Sequence, residues 1–145
     1  MDKGNTVNEN EISGIVVDAS VKIHQTLGPG LLESVYHRIL AYELRKAGLD
    51  VDTEVAVPVK WDGHVIDESF RADIIVGNKV LLELKSVEKT QPVHRKQVLT
   101  YLKLSELKLG LLINFGSSLL KDDLHRLVNG LEAVSYTHLT LPTKA

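Results

Sequence analysis

The chain has 145 residues, a length that suits one domain with a sizeable core. It is 43% hydrophobic and 25% charged but only 5% aromatic, so the core must rest on Leu, Val and Ile. A net charge of −2 gives no global pull toward nucleic acid or anionic membrane, and the absence of cysteine excludes disulfides, thiol catalysis, zinc–thiolate sites and iron–sulfur clusters.

The polar start MDKGNTVNENE lacks the apolar stretch of a secretory signal, and no segment approaches the roughly 20 apolar residues of a membrane span. The expected location is the cytoplasm, with no membrane partner and with residues 1–10 as a flexible N-terminus. A helix is predicted to start near Asn8 to Asn10, because Ile12, Ile15, Val16, Ala19, Ile23 and Leu27 recur at helical spacing. Gly28-Pro29-Gly30 stops it. A second helix is predicted from Leu31 to about Ala47, with Leu32, Val35, Ile39, Leu40 and Leu44 as its apolar side and Gly48 just past its end.

The period then changes to two. Val51, Thr53, Val55, Val57 and Val59 fall on one face of a strand, and Asp62-Gly63 is a hairpin turn beside which Trp61 is expected to pack. HVIDESFRADIIV, the turn Gly77-Asn78 and KVLLELKSV complete a three-stranded meander between Val51 and Val87. Pro92 suits the start of a third helix over Val93–Leu104, and KLGLLINF suits a buried strand. LKDDLHRLVNGL fits a short helix or an edge strand equally well. The expected architecture is α/β, a mixed sheet made of an antiparallel meander plus a crossover strand, flanked by helices and occupying residues 11–131. The ending VSYTHLTLPT breaks the preceding pattern and resembles translated adapter sequence from DNA library preparation, so residues 134–145 are expected to be a non-native tail.

The chemistry concentrates on the strand around Leu81–Lys85. Alternation puts Glu83 and Lys85 on one face, about 7 Å apart, inside an otherwise apolar run. Charges in such a place need a partner or a metal. A hairpin at Gly77-Asn78 brings Asp73 beside them, and two neighbouring carboxylates either share a proton or are neutralised by a divalent cation. Oxygen ligands suit Mg²⁺ or Mn²⁺. A salt bridge on a solvated sheet face is the plain alternative. Glu33 with Tyr36, and Gln97 with Tyr101, each share a helix face. Stabilisation of a helix N-terminus accounts for Glu33 by itself, and a polar helix edge accounts for the second pair. His94 with Arg95 and Lys96 opens the third helix, where a phosphate or plain solvent would suit them. Arg71, read as sharing a strand face with Asp73, is a candidate contact for phosphate or carboxylate.

Asp73 together with Glu83-Leu84-Lys85 resembles the D…(D/E)-x-K signature of the PD-(D/E)XK nucleases, with Ala72 where the superfamily's name has proline. Gly30-Leu31-Leu32-Glu33-Ser34-Val35-Tyr36 matches G-x-x-E-x-x-Y, the pattern of the GxxExxY protein family, a branch of the same superfamily. The likeness continues through LGPGLLESVY, FRADIIV, LLELKSVE, PVHRKQVLTYLKL and LGLLINFG. It implies a restriction-endonuclease-like core and a Mg²⁺-dependent phosphodiester hydrolase acting on DNA, with Mn²⁺ as substitute and RNA as a second candidate substrate. It implies Asp73, Glu83, Glu33 and the Leu84 carbonyl as metal ligands, Lys85 as the catalytic lysine, and Gln97 and Tyr101 as the Q-x-x-x-Y helix motif. Tyr36, Arg71 and His94 join these as candidate substrate-binding or orienting residues. The superfamily also contains dimers and rings, so a homo-oligomer is compatible. A silent nucleic-acid- or protein-binding module of the same fold is the rival reading, although such a module has no need of three converging carboxylates.

Overall fold

The computed structural model describes residues 7–131, with only the backbone described at residues 67–68. Helix α1 (Glu9–Leu27) begins inside the segment expected to be flexible, because Asn8 caps it: its side chain accepts the Glu11 N–H and Glu11 returns the bond to the Asn8 N–H. Helix α2 (Glu33–Lys46) starts two residues later than expected and ends at Ala47. Its buried stripe is Tyr36, Leu40, Ala41 and Leu44. Leu32 and Val35, assigned to the apolar side from sequence, are exposed instead. The tail at 134–145 lies outside the described residues.

Strands β1 (Val51–Trp61), β2 (His64–Val76) and β3 (Val80–Lys85) form the meander. Both turns have consecutive residues at positive φ, Asp62-Gly63 (51° and 78°) and Gly77-Asn78 (61° and 58°), the conformation that matches strand twist. Trp61 does not pack on its hairpin; it is 76% exposed. Helix α3 (Pro92–Ser105) then crosses over to β4 (Leu109–Asn114), parallel to β3 and wholly buried. The ambiguous LKDDLHRLV segment resolves into both alternatives in turn, a short 3-10 helix (Leu120–Asp123) followed by β5 (Leu124–Val128), antiparallel to β4. The mixed sheet has the order β1-β2-β3-β4-β5.

Each face of the sheet has its own core. Ile12, Val16, Tyr36, Leu40 and Leu44 of α1 and α2 pack on Ile74, Val76, Val80, Leu82, Leu84 and Leu111. Val98 and Leu102 of α3 pack on Ala72, Ile75, Leu81 and Leu112 on the other side. Strict alternation along β1 and β2 therefore fails at one place. Val51 belongs to the α1–α2 side but Val55 to the α3 side, and Ile74 to the former but Phe70 and Ala72 to the latter. The switch falls at Glu54, a non-glycine at φ 51°, and at Asp73 beside it. A second irregularity between Pro58 and Val59 shifts the β1–β2 register.

Candidate active site

The β2–β3 ladder runs through Val76–Val80, Ile75–Leu81 and Ile74–Leu82 and then stops. The next residues on the two strands are Asp73 and Glu83. Where backbone pairing ends, a side chain takes over: Leu84 N–H donates to Asp73 Oδ2 at 2.8 Å. The Asp73 carboxylate thus bridges the two strands across the gap, and the Glu83 carboxylate lies near enough to the Asp73 N–H to be favoured by it. A strand residue directs its N–H and C=O toward the same neighbour, so the Leu84 carbonyl points into this gap as well.

Electrostatics follow from the crowding. Burial pushes Glu83 up to about 8, with the charge of Asp73 acting in the same direction and Lys85 opposing. Asp73 is raised by burial, against the pull of the Leu84 N–H, His37 and Lys85. Glu33, the first residue of α2, is also raised, by burial and then by Asp73. Asp73, Glu83 and Lys85, set together by the spacing, and Glu33, added by the resemblance alone, therefore share one electrostatic neighbourhood. Lys85, the last residue of β3, is half-buried beside them. On α3, Gln97 hydrogen-bonds Tyr101, whose phenol is raised by burial and by the charges of Glu83 and Asp73. The Tyr101 ring stacks on Phe70 with centroids 3.8 Å apart, which fastens α3 to β2 close to Asp73.

Three other expected residues stand apart. Tyr36 is fully buried: its hydroxyl donates to the Gly28 carbonyl and accepts the Leu31 N–H, and its ring stacks on Phe115. It shapes the α1–α2 connection that delivers Glu33 and presents nothing to a substrate. Arg71 lies between Phe70 and Ala72, both packed on the α3 side, and its guanidinium donates to the Glu54 carbonyl. The face switch at Asp73 is what separates it from that carboxylate. His94 Nδ1 accepts the Gln91 N–H and so caps its own helix.

Two residues passed over in the sequence belong here. His37 sits four residues after Glu33, on the same face of α2, and its Nε2 bonds the Asp73 carbonyl at 2.9 Å. That spacing was the available signal. Glu54 adds negative charge beside Asp73, and only the shifted register brings it there.

Among the described residues no three acidic or histidine side chains form a closed metal-ligating group. The donor set nonetheless fits a hard divalent cation, because Glu83 Oε1 is buried with no hydrogen-bond partner. An orphaned carboxylate oxygen next to a second carboxylate and a strand carbonyl suits Mg²⁺ or Mn²⁺, with water completing the shell.

No curated protein matches the sequence. A solved structure titled "Crystal structure of SSO0001" superposes with a TM-score of 0.50 at 23% identity, over 69% of this chain. The match covers 52% of that protein, so the chain spans about half its length. Among the described residues no helix is long and apolar enough to cross a membrane. The family described as the PD-(D/E)XK nuclease superfamily matches residues 10–127, and the chain belongs to that superfamily.

Proposed function

We propose that the protein is a divalent-metal-dependent nuclease that hydrolyses phosphodiester bonds in DNA. The observation that carries the reading is the opened ladder at Asp73 and Glu83, with the buried Glu83 Oε1 lacking a partner. Asp73, Glu83 and the Leu84 carbonyl would hold Mg²⁺, or Mn²⁺ in its place, and Glu33 would approach from the start of α2. A bound cation would lower the pKa of its water toward neutrality and offset charge on the phosphate. Lys85 would hold the attacking water and meet the phosphate charge from the same strand. Gln97 and Tyr101, joined to each other, would orient the carboxylates or the substrate strand from α3. His37 would fix Asp73 from behind through its carbonyl.

The test uses end-labelled single- and double-stranded DNA in Mg²⁺, Mn²⁺ and EDTA, with RNA alongside. Cleavage is expected only with metal, and Glu83→Ala and Lys85→Ala are expected to lose at least about 100-fold, as for removal of groups that stabilise transition-state charge. A folded protein that neither cleaves nor binds Mn²⁺ overturns the reading in favour of a silent binding module.

A further inference from the structure

The chain between Lys85, which ends β3, and Pro92, which opens α3, has little apolar anchoring. Val87 is 41% exposed, Glu88 and Lys89 are exposed, and Thr90 is the residue that is buried. Hydrogen bonds hold it instead. Asn114, the last residue of β4 and fully buried, accepts the Val87 N–H at 3.0 Å and donates to the Val87 carbonyl at 2.8 Å. One carboxamide thus replaces a strand partner for Val87, which is why the β3 strand expected to reach Val87 ends at Lys85. The same oxygen accepts the Gly116 N–H, and the same nitrogen donates to Asp123 Oδ2 at 2.9 Å, so both donors and both lone pairs of Asn114 are used.

Asp123 is 5% exposed and collects every donor near it: the Thr90 N–H at 2.8 Å, the Thr90 hydroxyl, Asn114 Nδ2 and His125 Nε2 at 2.7 Å. Burial alone would raise its carboxyl, but these donors override that and hold it well below the usual range. Gly116 completes the clamp. A Cβ there would stand 2.2 Å from the Val87 carbonyl oxygen and 2.6 Å from its nitrogen, so any side chain at this position would have to displace the backbone that Asn114 holds. From the other side, the Ser86 hydroxyl donates to the Leu31 carbonyl, on the turn that leads into Glu33.

We propose that Asn114, Asp123 and Thr90 are positioning residues of the candidate active site, which fix Lys85 at the end of β3 relative to Gln97 and Tyr101 on α3. The proposal rests on the nuclease reading for its kinetic consequence and on the hydrogen-bond geometry alone for its mechanical one. Thr90→Val keeps shape and backbone N–H but removes the hydroxyl donor to Asp123; Thr90→Ser retains it. Thr90→Val is expected to lower kcat for DNA cleavage about tenfold with KM little changed, and Thr90→Ser to recover most of it. Amide exchange at residues 86–95 is expected to accelerate in Thr90→Val about tenfold while β3 and β4 keep their protection. An unchanged kcat, or exchange that rises equally everywhere with no rescue by Thr90→Ser, overturns the proposal and leaves the network as general stabilisation. A wild-type protein without cleavage overturns the nuclease reading instead, and the exchange comparison then decides the clamp by itself.

Discussion

Glu83 is the residue at which folding and the proposed chemistry conflict most. In the folded, metal-free protein it holds its proton up to about pH 8, whereas the unfolded chain releases it near 4.5. Between those values the folded state binds the extra proton, so stability falls as pH rises and levels off above about 8. The slope from this group reaches at most about 1.4 kcal/mol per pH unit, and Asp73 and Glu33, both raised, act in the same sense. Glu83→Gln is expected to flatten the slope and to be more stable than wild type at pH 8, read from urea melts at pH 5 and pH 8. Mn²⁺ affinity of the wild type is expected to climb over the same interval, because the metal must displace that proton. The carboxylates and lysine were legible from alternation and turn spacing together with the family signature. Arg71 was misplaced because strict alternation was assumed through Asp73, and the positive φ of Glu54 that marks the break carries no compositional sign.

At the level of elements, the meander, the crossover helix and the buried β4 were readable from periodicity and turn residues. The misses share a physical cause: a local feature ended or shifted an element. The two-residue turn at Asp62-Gly63 fixes the Trp61–His64 pairing, and carried inward it would set Glu54 opposite Arg71. The shift at Pro58/Val59 instead sets Glu54 between the pairs Thr53–Ile74 and Val55–Ala72, next to Asp73. The Asn114–Asp123–Thr90 network was invisible for another reason, since it joins the end of β4, the 3-10 helix and the β3–α3 connection, and none of the three is a catalytic type at a telling spacing. Gly116 offers the sharpest test of that junction. Gly116→Ala forces the Val87 backbone away, and a cost of about 1–3 kcal/mol is expected in urea unfolding, as for overpacking in a filled core. The companion change Gly14→Ala, in the middle of α1 with open space around it, is expected to stabilise by up to about 1 kcal/mol.

For the whole molecule, a ligand that binds only the folded state adds stability by mass action. Mn²⁺ at about 100 times its dissociation constant contributes roughly 2.7 kcal/mol, or about 10 °C in Tm for a domain of this size. That rise is expected in wild type, is expected to vanish with EDTA, and is expected to be lost in Asp73→Asn, all by thermal melts. Among the described residues the sheet ends on β1 at one side and on β5 at the other. The β1 side exposes Asp52, Glu54, Pro58 and Lys60, and it carries both the left-handed Glu54 and the register shift at Pro58/Val59. Proline offers no N–H to an incoming strand, and the kinks twist the rest out of line. The irregularities that bring Glu54 to Asp73 thus also guard the molecule against strand-by-strand aggregation. Straightening β1 to a regular ladder would trade that protection for a longer, flatter template.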